Sequence, residues 1–586
     1  MWKQLWDEEP AAAFAFMVAL VAIVGAVVVD VGLHVGWAVV GMDGSLPINP
    51  VALLNQIVSG SPAIPRDVWM VAGGVAGGLF VVVVAVVMTV AVRRAGKLRG
   101  DRVARKVGRA AETRSINAKS VSSKAGRFGV DPKTHPGLPI GVAVAGGRKL
   151  YSSWEDVRVD IWGPRTGKTT RCAIPAILAA PGAVVSTSNK SDILLPFLGD
   201  GTRGDIRPAL AQLRPGSRSW VFDPQDIARQ PQEFWWDPLT FVTDSVTALV
   251  LAEVFADAMR DPTAQRQGYF DDASTQLLAC MLLAAAVWPR AMSAMGGDPT
   301  RVGLTKIHQW LTDETDTEPV RILESAGETM MAGQLLGYIN LVHETRSGVY
   351  GGALNTAAFL LNGAAMRWVT PQPGLPEFFP EDFVRSRDSL FLLSMEGPGS
   401  AAPVMTALTI AVTEAAIKQA RAEGGRLATP MTVVLDEAAN VCRWRRLPDL
   451  YSFYGSHGIV LLTILQSFEQ GVVVWTREGM KKLWSSANTR VYGGGVDDTT
   501  FLGDLSQVIG DEWVTTRQSS SGRGGRSTSL SHESAQRRLV TVADLQSLPA
   551  GRMWVFASGA RPVLASSQPW YEGPHADLIS HPQPIR

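Results

Sequence analysis

The chain has 586 residues, too many for one ordinary hydrophobic core, so several domains are expected. Its net charge of +1 averages an uneven distribution, so it excludes neither a membrane nor a nucleic acid as partner. Three cysteines (Cys172, Cys280, Cys442), far apart and without CxxC spacing, argue against a disulfide framework or a zinc site and fit a reducing compartment.

Two apolar runs come first. Residues 11–29 read AAAFAFMVALVAIVGAVVV, and residues 68–92 read VWMVAGGVAGGLFVVVVAVVMTVAV. A hydrocarbon core about 30 Å thick needs about 20 apolar helical residues, so both are read as transmembrane helices. A cleaved signal peptide competes for the first run, but its leader, MWKQLWDEEP, carries one lysine against three acids. After Val92 come Arg93, Arg94, Lys97, Arg99, Arg102, Arg105, Lys106, Arg109, Arg114, Lys119, Lys124 and Arg127, against only Asp101 and Glu112. Positive-inside bias puts everything after Val92 in the cytoplasm, and two spans return the N-terminus there, which makes a multi-pass plasma-membrane protein. The run serves topology and contact with anionic lipid; nucleic-acid binding is the sharper alternative. In the second span Gly73, Gly74, Gly77 and Gly78 form two overlapping GxxxG pairs suited to helix packing.

A short apolar strand from Val157 then runs into Gly163-Pro164-Arg165-Thr166-Gly167-Lys168-Thr169-Thr170, followed by a helix-compatible stretch. Strand, Gly-rich turn, Lys-Thr and helix is the context of a phosphate-binding loop. Backbone N–H groups and the helix start face the phosphates, Lys168 reaches the β- and γ-phosphates, and the Thr169 hydroxyl ligates Mg²⁺. ATP and Mg²⁺ are therefore the expected ligands. The position where the full pattern wants its first glycine is Trp162, so the loop either begins differently or tolerates a bulky residue. Further on, Met431–Leu435 (MTVVL) ends in Asp436-Glu437. The first carboxylate suits the Mg²⁺ shell and the second suits polarising the attacking water. Asp223, after SWVF, competes for this role but lacks a second carboxylate. Gln466, closing GIVLLTIL, is placed to sense the γ-phosphate or orient water. Lys168, Glu437 and Gln466 are thus the candidate catalytic residues.

Strands near 157–161, 183–187, 219–222, 389–394, 431–435, 459–464, 490–492 and 553–557 alternate with helical segments, which predicts a parallel α/β sheet. Between 246 and 370 helical periods dominate, as in ASTQLLACMLLAAA, and predict an all-α insert. The resulting division is a membrane anchor (1–92), a basic juxtamembrane linker (93–150), a nucleotide domain in two parts (151–245 and 371–586) and the all-α domain (246–370). Ser519–Ser534 (SSSGRGGRSTSLSHES) reads as a mobile surface loop.

The ordered set of GPRTGKTT, VVSTSNKSDIL, VFDPQ, WWDPL, YFDDASTQLLACMLLAA, VVLDEAAN, LLTILQSFEQ and LVTVADLQSLPAGR resembles the type IV secretion coupling proteins, the TraG/TraD-like family of conjugative ATPases. The resemblance covers nearly the whole chain. It implies a RecA-like motor domain with an inserted all-α domain, acting as a homo-hexameric ring that hydrolyses ATP. It further implies that the ring hands relaxase-bound single-stranded DNA, or effector protein, to the type IV secretion channel. Besides Trp162 there are two departures. Many relatives carry an arginine eleven residues before the sensor glutamine, a candidate trans-acting finger, where this chain has Gly455; Arg443, Arg445 and Arg446 are substitutes to consider. The chain also ends without the long acidic tail of some relatives. A septal-type DNA translocase and a non-hydrolysing membrane receptor are the competing readings.

Overall fold

A computed structural model describes residues 27–60, 63–78, 101–198, 201–260, 268–397, 399–520 and 529–579, apart from positions 28, 76, 102, 105 and 109–111. The chain forms two compact units, Met1–Arg99 and Gly100–Arg586. Most of both predicted spans, and the cations Arg93–Arg99, lie outside the described residues.

In the first unit an apolar helix covers Val29–Val40. The first predicted span was bounded at Val29; the helix continues beyond it through Asp30 and His34, whose i,i+4 spacing lets the imidazole bond to the Asp30 carbonyl at 2.9 Å. The connection between the runs folds a helix of its own, Pro50–Ser59. The close approach in this unit is made by Gly32 and Gly36. A Cβ on them would lie 2.9 Å from the Ala72 carbonyl oxygen and 2.7 Å from that of Val68. Gly73, Gly74, Gly77 and Gly78 meet nothing within 4 Å. Within this unit the small-residue contact is thus made by Gly32 and Gly36.

The second unit is built on an eleven-stranded sheet. In chain order its strands are β1 (Leu138–Ala143), β2 (Lys149–Ser152), β3 (Arg158–Ile161), β4 (Val184–Ser188), β5 (Ser219–Phe222), β6 (Ser389–Leu393), β7 (Met431–Leu435), β8 (Ile459–Leu465) and β9 (Thr489–Tyr492). After a separate ribbon of β10 (Asp511–Ser520) and β11 (Ser529–Arg538) come β12 (Arg552–Ala557) and β13 (Val563–Ser566). The spatial order is β2-β1-β13-β12-β9-β3-β8-β7-β4-β6-β5. From β9 to β5 all pairings are parallel. Central strands are buried on both faces, as in β7 and β8, which is why they read as unbroken apolar runs. The other four strands are antiparallel, including β12, which the sequence reading had placed in a wholly parallel sheet. Tight β1–β2 and β12–β13 connections leave no room for the crossover helix a parallel pairing needs.

Between β5 and β6 the described residues form helices without a named strand. The longest, Gly268–Met295, is apolar enough to cross a membrane, yet most of it is buried against the protein, among helices Ser245–Met259, Glu318–Ser325 and His343–Thr356. It is the core of the all-α region.

Two further expectations need correction. The segment 93–150 is not simply a linker, because β1 and the start of β2 lie within it. Moreover, the stretch after Gly100 is fastened to the sheet. Asp101 takes both N–H groups of Arg552 at 3.0 and 3.1 Å, Lys106 pairs with Glu512, and Ala104 and Val107 are buried in the core. Basic character had masked these apolar anchors. Of Ser519–Ser534, read as a loop, residues 519–520 and 529–534 belong to the β10–β11 ribbon, paired in register from Asp511↔Arg538 to Ser520↔Ser529. An Arg538–Asp511 ion pair of 2.9 Å closes its base. Residues 521–528 lie outside the described residues.

A soluble fragment beginning at Gly100 should therefore be more stable than one beginning at Ser115. Losing the buried Val107 and Ala104 side chains costs about 3 kcal/mol, measured as a lower denaturation midpoint for the shorter fragment. Equal midpoints would show that the segment does not contribute.

Candidate nucleotide site

β3 delivers the phosphate loop at the C-terminal edge of the parallel strands, where open α/β sheets place their ligands. The Trp162 N–H donates to the Leu465 carbonyl at 2.9 Å, and the Gly163 N–H to Gly494 at 2.9 Å. The Trp162 side chain turns inward and is fully buried, with its indole N–H donating to Asp160 Oδ2 at 3.2 Å. Gly493 makes room for the ring, since a Cβ there would collide with the indole. At Gly163 a Cβ would collide with the Gly495 carbonyl. Glycine is thus demanded at 163 and not at 162, and the tryptophan occupies core space below the loop.

The loop itself turns through Arg165 and Gly167, at φ 60° and 88°. Thr166 Oγ1 donates to the Gly163 carbonyl at 2.6 Å and Thr170 Oγ1 to that of Gly167 at 3.0 Å. Pro164 and Arg165 are exposed at its rim. A wide first turn, Thr169–Ala173, then leads into the helix Ile174–Ala179.

Three adjacent parallel strands bring the predicted residues together. Lys168 pairs with Glu437 at the end of β7, and Gln466 at the end of β8 donates to the same carboxylate oxygen at 2.6 Å. Thr169 Oγ1 donates to Asp436 Oδ2 at 3.1 Å. Both carboxylates are almost wholly buried. Asp436 is pushed up to about 6: burial is the main cause and the Glu437 charge adds to it, while Lys168 opposes it. Its Oδ1 is buried without a hydrogen-bond partner. An orphaned carboxylate oxygen beside a hydroxyl suits a hard divalent cation, so Thr169 and Asp436 fit Mg²⁺. Glu437 itself sits in the left-handed region, φ 56°, a conformation common at functional sites.

Sequence reasoning missed the supporting shell. Asn440 donates to Glu437 Oε2 at 3.1 Å, and Gln470 donates to Asn440 Oδ1 at 2.6 Å. Thr187 on β4 donates to the Asp436 carbonyl at 3.1 Å. A signal existed in the spacing of Gln466 and Gln470, since the N–H of Gln466 donates to the Gln470 side chain at 3.1 Å. Asp223 is no rival: it follows edge strand β5 and accepts the N–H groups of Ile227 and Ala228 at 2.7 and 2.8 Å, holding its own turn. Gly455 packs so closely on the Glu155 carbonyl that any Cβ would collide with it, which excludes an arginine there. Of the substitutes, Arg443 bonds to the Arg260 carbonyl at 3.2 Å and Arg445 pairs with Asp257 at 3.3 Å, both toward the all-α region.

The Asp436 shift has a stability consequence. Its folded-state pKa lies above the ordinary 3.8, so the folded protein holds this proton longer. Stability from this group is therefore lost as pH rises from about 4 to about 6. Without nucleotide, Asp436→Asn should be more stable than the parent at pH 7.5, by up to about 3 kcal/mol. The advantage should vanish near pH 4. Thermal melts of both proteins across that range check the sign.

Residues 430–550 match the family model TraG-D_C, described as the TraM recognition site of TraD and TraG; the match includes Asp436, Glu437 and Gln466. No curated protein matches the sequence significantly. Among solved structures, the chain is similar to the bacterial conjugative coupling protein TrwBdeltaN70 in its unbound monoclinic form. The TM-score is 0.52 at 16% identity, over 78% of this chain and 94% of that one. It is also similar to plasmid coupling protein TrwB in complex with ADP and Mg²⁺ (TM-score 0.47, 16% identity, 71% and 85% covered). A further likeness is to VirB4 of Thermoanaerobacter pseudethanolicus (0.39, 12%, 74% and 96%). The first likeness shows the fold, that of an α/β P-loop NTPase-like protein, and the family match is confined to residues 430–550.

Proposed function

We propose that this protein is the inner-membrane coupling ATPase of a conjugative type IV secretion system. It uses ATP and Mg²⁺ to recruit relaxase-bound single-stranded DNA, or effector protein, and deliver it to the secretion channel. The observation that carries the reading is the convergence of Lys168, Thr169, Asp436, Glu437 and Gln466 at the ends of β3, β7 and β8.

The chemistry follows from those positions. Loop N–H groups and Lys168 hold the phosphate chain, so the γ-phosphoryl group is fixed over the strand ends. Thr169 and Asp436 would hold Mg²⁺, which when bound neutralises phosphate charge. Glu437 is the group placed to take a proton from water, and Gln466 orients that water through its amide. Asn440 fixes the second oxygen of Glu437 and so sets the direction of the first.

The membrane location rests on the two apolar runs and the basic bias that follows them, with N-terminus and motor on the cytoplasmic side. A homo-hexameric ring is supported by the single phosphate loop, whose site a neighbouring subunit would complete; since position 455 has no room for an arginine, the completing group would be another residue. Of the cations considered for DNA, Lys106 is already paired with Glu512. The segment from Arg93 to Arg127 carries +10 and leaves −9 for the remainder, so DNA affinity would come from local clusters. The family match, described as a TraM recognition site, supports a relaxosome-type partner.

Glu437→Gln should keep ATP binding and lose turnover by at least about a hundredfold, the range of general base loss. Lys168→Ala should lose binding and turnover together. Wild-type hydrolysis by Glu437→Gln would remove the base assignment. Turnover measured with and without single-stranded DNA separates the readings: no ATPase in either condition would favour the non-hydrolysing receptor.

A further inference from the structure

Away from the catalytic cluster a cavity of about 690 Å³ opens between the helix Ile174–Ala179, the β1–β2 edge and residues 568–575. That volume suits a ligand of drug or mononucleotide size. Much of its wall is apolar, with Ile140, Leu150, Leu178 and Trp570 among the lining. The charged lining is one-sided: Lys133, Lys149 and Arg171 contribute cations, and no aspartate or glutamate lines it. In a chain with 55 bases and 54 acids this is a local bias; the Asp131 carboxylate beside Lys133 offsets that one cation, which leaves Lys149 and Arg171.

The polar groups on the wall have capacity to spare. The half-buried Arg171 guanidinium donates to the Ser567 carbonyl at 2.8 Å, a neutral partner that leaves its charge uncompensated. His135 Nδ1 lies 3.0 Å from the Ala179 carbonyl, which leaves Nε2 for a ligand. His575 is held below its ordinary pKa by burial and by the nearby His135, so it is a neutral hydrogen-bonding group at pH 7. A partly open space with apolar walls, cations and no acid on its lining is incompatible with a cationic ligand and poorly suited to a purely apolar one.

We propose that this cavity binds a small organic anion with an apolar body, its acidic group held by Arg171 and Lys149 and its body lying against Leu178 and Trp570. A fatty acid and a heteroaromatic nucleotide share this chemistry. Arg171 also stands at the start of the helix behind the phosphate loop, where its backbone N–H donates to the Gly167 carbonyl at 2.9 Å. The cavity and the loop therefore share one residue without sharing one ligand.

The test uses the full chain in lipid nanodiscs, titrated with 8-anilinonaphthalene-1-sulfonate against empty discs, with Mg²⁺-ATPγS saturating the phosphate loop. One saturable site per chain is expected. Ala179→Phe, which puts a bulky ring into the cavity beside Leu178, should weaken it strongly. Lys149→Gln should weaken it about fivefold, the effect of one partly screened charge pair, with basal ATPase unchanged. Dodecanoate displacing the probe would identify an acyl anion as the natural class. ADP displacing it from the Lys168→Ala chain, whose phosphate loop cannot compete, would identify a nucleotide. The same signal in wild type and both variants, or no saturable site in wild type, overturns the proposal.

Discussion

Asp160 is fully buried beneath the phosphate loop, where its carboxylate accepts hydrogen bonds from four groups on three residues. Arg158 donates from Nε at 2.7 Å and Nη2 at 2.6 Å, Cys172 from its thiol at 2.9 Å, and Trp162 from its indole at 3.2 Å. Arg158 also donates to the Pro139 carbonyl of β1 at 2.8 Å. One carboxylate therefore links the strand before the loop, the helix after it and the antiparallel end of the sheet. A charge so deeply buried is tolerated only while its partners remain, and losing one typically costs about 3–5 kcal/mol. This constraint accounts for the residue at 162. A donor that reaches Asp160 and fills the core is worth more there than a glycine, once Gly163 handles the close approach to β9's turn.

The catalytic groups inherit their precision from that base. Residues 163–170 are pinned from below by Trp162 and from the side by Gly494, while β7 and β8 present Glu437 and Gln466 from the neighbouring register. Positions on strand ends of one sheet vary less than positions on loops, which suits a reaction governed by orientation and charge.

How much of this could be read beforehand depended on how local each signal was. The phosphate loop, the carboxylate pair and Gln466 announce themselves because each follows an apolar strand, and the parallel sheet then has only one edge on which they can meet. The all-α stretch was legible from helical period. What escaped were features fixed by distant partners. Trp162 makes sense only beside Gly493, and Ala104 and Val107 only once β12 and β13 provide a surface for them. Antiparallel β12 could not be told from a parallel strand by its own residues. The β10–β11 ribbon is polar and Ser-rich, and its backbone pairing is invisible to an apolar-pattern reading. Gly32 and Gly36 gave no signal of their own, because their close neighbours Val68 and Ala72 lie more than thirty residues away in the chain.

The pairing of Lys168 with Glu437 means that the cation of the phosphate loop is already engaged before any phosphate arrives. A phosphate chain entering the loop would have to compete with the Glu437 carboxylate for that ammonium. Binding would then cost the work of separating the pair, which lowers apparent affinity in proportion to the fraction of chains found open.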